Sequence, residues 1–163
     1  IWAQNPGAEM WASSVDGMFS AQTGANVGTK PVSQNFLIWW DADETRELLD
    51  SNHIDKYNGT GLTRLLTANG VVSNNGTKST PALTADLFGD WREEVMWRET
   101  DSSALRLYTT TAVTTRRIYT LMHDAQYRAA VSWQNTAYNQ PPHTGFDIGG
   151  GMTAPPVPNI TVR

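Results

Sequence analysis

Cysteine is absent from the 163 residues, which removes disulfides, thiolate nucleophiles, zinc–thiolate sites and iron–sulfur clusters together. The absence does not fix a compartment, because bacterial secreted enzymes and cytosolic proteins can both do without cysteine. There is no excess of basic residues. Twelve Lys and Arg stand against sixteen Asp and Glu, a net charge of −4, so the electrostatic footprint of a nucleic-acid or anionic-membrane binder is missing. No run approaches 18 consecutive apolar residues, which excludes a transmembrane helix. His53, His123 and His143 share no metal-ligand spacing. Ser13, Ser14 and Ser79 lack the glycine frame of a nucleophile elbow. The three glycines from Gly149 to Gly151 precede no helix pattern and read as a turn, not a phosphate cradle. The start has no initiator Met, basic region or apolar region, so the chain reads as a fragment or a processed chain.

What is present fits one ordinary domain, exposing roughly 8,000 Å² folded against about 26,000 Å² unfolded. Charged residues are 17% and hydrophobic ones 39%, far from the composition of a disordered chain. Trp outnumbers Tyr and Phe, at 7, 5 and 4. An indole is a flat amphipathic surface that suits sugar rings as well as core filling. Trp39, Trp40 and Trp97 lie on strand-like runs and are expected inside, whereas Trp91 and Trp133 are the candidates for a ligand-facing surface.

Short apolar or alternating runs separated by Gly, Asn, Asp and Pro predict an all-β chain. Residues 35–40 (NFLIWW) have no polar break and fit a strand covered on both faces. Residues 46–50, 93–98 and 104–109 are strand-like, the last with Leu105 and Leu107 on one face. Asn58-Gly59 and Asn74-Asn75-Gly76 are turn signals. Residues 117–133 are ambiguous between two strands and a short helix, and the β surroundings favour strands. Asp43 and Glu47-Leu48 recur as Asp90 and Glu94-Val95, 47 residues later. That period falls in the range of propeller blades, and the length then holds three to four of them. A closed ring needs more.

Carboxylates gather in two places, Asp41, Asp43, Glu44 and Glu47, then Asp86, Asp90, Glu93 and Glu94. Both are hard-oxygen sets on tight loops, suited to Ca²⁺ or to solvated turns, and neither completes an EF-hand loop. Residues 86–94, with a Gly-permitted bend between Asp86 and Asp90, are the better calcium candidate. Within residues 73–81 (SNNGTKSTP) a single Lys78 sits among amides and hydroxyls. Alone it reads as an exposed turn lysine; facing a carboxylate-bearing ligand it becomes a candidate base.

Residues 36–41 (FLIWWD), 46–50, 74–81 (NNGTKSTP), 86–98 (DLFGDWREEVMWR), 104–111, 117–124 and 133–146 (WQNTAYNQPPHTGF) resemble the C-terminal part of the family-eleven polysaccharide lyases, the rhamnogalacturonan lyases. The resemblance runs along essentially the whole chain, 1–163, and is weakest over the first thirty residues. It implies a partial β-propeller, the C-terminal blades of an eight-bladed ring, with Ca²⁺ as cofactor and secretion by a bacterium. It also implies cleavage of the rhamnogalacturonan-I backbone of pectin between rhamnose and C4 of galacturonate, and earlier blades that this chain does not contain. The family's active-site motifs fall on Asn75, Gly76, Thr77, Lys78 and Tyr138. Lys78 and Tyr138 would serve as base and acid, in either assignment. Expected substrate contacts are Asn75, Gly76, Thr77, Trp91 and Trp133, and expected metal ligands are Asp86, Asp90, Glu94, Asp41 and Asp43. Ala125 and Asp147 stand where the family commonly has proline and an aromatic. The alternative function is a non-catalytic carbohydrate-binding or structural propeller fragment. A calcium-dependent protein–protein module is weaker still, because Lys78 and Tyr138 match the lyase motifs.

Overall fold

Alternating apolar residues between tight turns give three antiparallel sheets, seen in a computed structural model that describes residues 1–5, 7–134, 136 and 139–159. β1 (Glu9–Met10), β2 (Met18–Ser20) and β3 (Asn26–Gly28) form the first in chain order. The second is a meander of β4 (Phe36–Ile38), β5 (Glu47–Asp50), β6 (His53–Tyr57) and β7 (Leu62–Thr67). In the third, β10 (Glu94–Glu99) is central. It pairs β11 (Leu105–Tyr108) on one side, and β8 (Val71–Val72) and β9 (Leu83–Ala85) at successive positions on the other. The strand-like runs 35–40, 46–50 and 104–109 contain β4, β5 and β11, and the run 93–98 overlaps β10, which extends one residue further to Glu99. Leu105 and Leu107 share a face as expected, but that face is exposed.

The largest core cluster gathers Phe36, Ile38, Leu49 and Ile54 of the second sheet, and Trp40 just past β4, with Val71, Val95 and Trp97 of the third. Trp97 is fully buried, yet its indole N–H reaches the Ser51 carbonyl at 2.8 Å, so the polar edge keeps a partner. Trp39, Trp40 and Trp97 are all buried, as their strand-like runs required.

The 47-residue repeat has a structural meaning. Glu47 Oε2 accepts the backbone N–H of Trp40 and Asp41, and Glu94 Oε2 accepts those of Leu87 and Phe88, the same positions one repeat later. Each glutamate thus closes the connection that precedes its own strand. These N–H groups would otherwise lack partners in a tight loop.

Residues 117–133 depart from the strand reading. Among them are a 3-10 turn, Leu121–His123, and helix α1, Ala125–Ser132. Asp124 is the N-cap, its carboxylate accepting the Tyr127 N–H at 3.1 Å, and Ala-Gln-Tyr-Arg-Ala-Ala follows with high helix propensity. Tyr127 and Ala130, three residues apart, are the face that α1 buries. Tyr127 packs with Trp39, Trp91, Leu121 and Ile148. Among the described residues no helix is long and apolar enough to cross a membrane.

Candidate functional site

The loop between β8 and β9 carries Lys78, and its shape is set by Asn75. The Asn75 side chain accepts the Lys78 N–H at 2.7 Å and donates to Thr80 Oγ1 at 2.9 Å. The Asn74 N–H reaches the Thr80 carbonyl at 2.7 Å and closes the base of the loop. The Ser79 carbonyl accepts the Ser51 N–H, which ties the loop to the turn between β5 and β6. Asn75, Gly76 and Thr77 are exposed, Lys78 is half-buried, and no described carboxylate pairs with its ammonium. Both hydrogen-bonding ends of the Asn75 amide are therefore engaged within the loop. Gly76 has an ordinary φ, and a Cβ placed there would meet no atom within 4 Å. Neither backbone conformation nor packing within this chain calls for glycine at 76.

The segment that follows α1 returns to this loop. Gln134 is buried against Thr84 of β9, and Asn139 donates to the Pro81 carbonyl at 3.1 Å. Tyr138, the expected partner of Lys78, lies outside the described residues. Its chain neighbour Asn139 is thus joined to the backbone three residues after Lys78. Trp133, at the end of α1, is 42% exposed with the His143 ring 6.1 Å away, so its indole is open to solvent. Trp91 is the correction. It is 1% exposed and packed among Trp39, Leu121 and Tyr127. The φ of Trp91 is 71°, in the left-handed region, and the enclosed indole offers no stacking face to a sugar.

Of the two acidic loops, the oxygens converge at Asp41, Asp43 and Glu47, within 4.8 Å of one another. A cation already stands among them. Lys56 Nζ lies 2.9 Å from Asp41, 2.9 Å from Asp43 and 2.7 Å from Glu47, with Thr45 Oγ1 at 2.8 Å. In the second loop Asp86 accepts the N–H of Gly89 and Leu121, Glu94 accepts Leu87, Phe88 and the Thr109 hydroxyl, and Asp90 pairs with Arg92. Both loops also leave the opposite end of their strands from Lys78: β9 separates Asp86 from the Lys78 loop. As arranged, neither carboxylate set fits a calcium ion beside Lys78.

Burial works against the Lys56 charge, but the Glu47 carboxylate and its neighbours outweigh it and hold Lys56 above its ordinary range. Burial pushes the Glu47 carboxyl up to about 7, against the pull of Lys56. Between 4.5, the ordinary value, and about 7, the folded chain holds a proton that the unfolded chain has released. Stability therefore falls as pH rises through that window, by up to about 1.4 kcal/mol per unit, and levels off above it. Glu47→Gln is expected to remove this contribution, whatever it does to absolute stability. Denaturant midpoints measured across a pH series check it, and an unchanged slope in the variant counts against the assignment.

The third charged group is buried. Glu93 accepts from the Trp39 N–H at 2.9 Å, the Tyr127 hydroxyl at 2.7 Å and Arg46 at 3.4 Å. Arg46 lies over the Trp39 ring, 3.9 Å from its centre, and donates to the Pro142 carbonyl. Burial pushes the Glu93 carboxyl up, with the Arg46 charge opposing. Tyr127 is raised by burial and by Glu93. Sequence reasoning singled out none of Arg46, Lys56, Tyr127, Gln134 and Asn139. Their partners are 9 to 96 residues away, so local spacing carries no trace of them.

With this geometry in hand, comparison with known proteins is specific. Residues 1–158 match the C-terminal domain of rhamnogalacturonan lyase family 11. Over 158 residues the chain is 57% identical to rhamnogalacturonan endolyase YesW of Bacillus subtilis (strain 168), covering 95% of this chain and 25% of that protein. It is 52% identical over 157 residues to rhamnogalacturonan exolyase YesX of the same strain, covering 90% and 26%. The fold matches the crystal structure of YesW with a TM-score of 0.92 at 54% identity, over 99% of this chain and 28% of that one. The Bacillus licheniformis rhamnogalacturonan lyase PL11 gives 0.92 at 56% identity, over 98% and 27%. The chain spans about a quarter of the length of the curated relatives it matches, and it belongs to rhamnogalacturonan lyase family 11, as its C-terminal domain.

Proposed function

We propose that this chain supplies the Lys78 side of the active site of a rhamnogalacturonan lyase. Its three sheets would be the last blades of an eight-bladed propeller, and the earlier blades would lie in the length that relatives have and this chain lacks. The substrate is the rhamnogalacturonan-I backbone of pectin, cut between rhamnose and C4 of galacturonate. A plant cell-wall polymer as substrate supports secretion from a bacterium.

The reaction is β-elimination. Lys78, in its neutral form, takes the C5 proton, which is acidified by the neighbouring carboxyl group. The electron pair left behind forms the C4–C5 double bond as the bond from C4 to O4 breaks. The departing rhamnose oxygen takes a proton from Tyr138. The products are an unsaturated uronate and a free hydroxyl. General base or acid catalysis of this kind is worth about 10²–10⁴-fold. Calcium assistance is what the family resemblance implies, while this chain's own residues would supply the base and the acid. The observation that carries the reading is the Lys78 loop. Its backbone is organised by Asn75, its tip is exposed, and no described carboxylate holds its amine.

Gly76 offers a direct test. Because a Cβ there meets nothing in this chain, Gly76→Ala is expected to leave stability unchanged within about 0.5 kcal/mol. It should raise KM for rhamnogalacturonan oligosaccharides in the full-length protein if sugar approaches that backbone. Turnover is followed by the ultraviolet absorbance of the unsaturated uronate. An unchanged KM would remove the loop tip from the binding surface. Oligosaccharide binding without turnover would favour the carbohydrate-binding alternative.

A further inference from the structure

Two side-chain amides flank Tyr138, four residues before it and one after, and both are spent on one stretch of backbone. Gln134 Oε1 accepts the Thr84 N–H at 2.9 Å, and Gln134 Nε2 donates to the Thr84 carbonyl at 2.6 Å. A single side chain thus gives and takes at one residue of β9, as a neighbouring strand would. Asn139 Nδ2 donates to the Pro81 carbonyl at 3.1 Å. Proline has no N–H, so a carbonyl is all that its backbone offers, and an amide donor meets it. Gln134 is 7% exposed and Asn139 is 3% exposed. At that burial neither is available to stack on or bond a polysaccharide from solvent.

Both acceptor residues follow Lys78 closely. Pro81 adjoins Thr80, and Thr80 is held by Asn75 and Asn74 from within the Lys78 loop. A shift at Pro81 or Thr84 is therefore transmitted to the backbone that carries Lys78. At the far end of the returning segment, Arg46 holds the Pro142 carbonyl. Gln134 and Asn139 thus join the Lys78 loop in one hydrogen-bonded frame, at β9 and at Pro81 just before it.

On this basis we propose that Gln134 and Asn139 are positioning residues, a pair of amide staples that fix the backbone following Lys78 and so the place of Lys78 itself. The inference rests on the lyase reading and deepens it. A misplacement of about 1 Å between reacting groups can cost on the order of 10²-fold in rate. The staples act through geometry, so their loss should appear in kcat and not in substrate affinity.

The test uses the full-length protein with Asn139→Leu, Gln134→Met and their combination, beside Lys78→Ala in the same assay. Near-ultraviolet circular dichroism and a thermal melt give the folded fraction, and rates are expressed per folded molecule. The expected result is a fall in kcat of about 10- to 100-fold with KM within about twofold, the pattern of a transition-state interaction lost. The pH dependence of kcat should also move, because Lys78 no longer holds its native place. Asn139→Asp removes the donor while keeping the size, and should show the same loss if the leucine variant fails to fold. Folded variants with wild-type kcat per molecule and an unmoved pH profile would overturn the proposal. If those variants keep kcat while Lys78→Ala loses it, the staples fail alone. If Lys78→Ala also keeps kcat, the lyase reading of the site fails, and the staples with it.

Discussion

Lys78→Ala in the full-length protein is expected to lower kcat by at least ~10²-fold with little change in KM. The loop does not need the lysine side chain for its shape. Asn75 grips the Lys78 backbone N–H, the Ser79 N–H reaches the Asn75 carbonyl, and Asn75 bonds Thr80 across the turn. Alanine preserves all three contacts, so stability should stay within about 0.5 kcal/mol. A loss of rate is then a loss of chemistry. The pH profile separates the two assignments of base and acid. A general base must be deprotonated to act, so the rate climbs with pH until that group has titrated. Whichever of Lys78→Ala and Tyr138→Phe abolishes the climb identifies the base. A near-wild-type kcat in Lys78→Ala would return Lys78 to the status of an exposed turn residue.

Much of the fold is legible in the sequence because its signals are local. The unbroken apolar run ending in Trp39 and Trp40 marks a buried strand, and the Asp–Glu spacing of 47 marks a repeated loop. The repeat even carries its own explanation, since Glu47 and Glu94 each cap the connection before their strand. Helix α1 was also written locally. Asp124 is a good N-cap, and the proline common in the family at 125 is the residue preferred at a first helical position. The β-rich surroundings outweighed that signal, and the period of residues 125–132 was too short to restore it. The acidic loops are less legible for a different reason. Composition shows carboxylates but not what meets them, and Lys56 comes from the next strand but one of the meander to stand among Asp41, Asp43 and Glu47. Trp91 is similar. Its position in a turn suggests exposure, and only the left-handed backbone there, with the indole packed inside, reveals the opposite.

The buried ion pair carries the largest expected effect on stability. Arg46→Met should destabilise the protein by about 3–5 kcal/mol, because it leaves the Glu93 carboxylate buried with no cation. Three neighbours make the site unforgiving. Trp39 offers one backbone N–H, Tyr127 one hydroxyl, and the Pro142 carbonyl would lose the Arg46 donor. The methionine keeps volume over the Trp39 face, so lost packing contributes little. If the charge left behind is the cause, removing it should recover part of the loss. Arg46→Met combined with Glu93→Gln is then expected to be more stable than Arg46→Met alone, although Glu93→Gln by itself destabilises. Acid should help the single variant in the same way. Burial already raises the Glu93 carboxyl against the opposing Arg46 charge, and without that charge it rises further. The folded state then holds its proton over a wider range above the ordinary carboxyl value, so stability increases as pH falls toward that value. Denaturant titration of the two single variants and the double variant, at neutral and acidic pH, completes a double-mutant cycle. Strict additivity, with no recovery in acid, would mean that Arg46 matters only through its contacts with Trp39 and Pro142, and that Glu93 is held by its neutral donors alone.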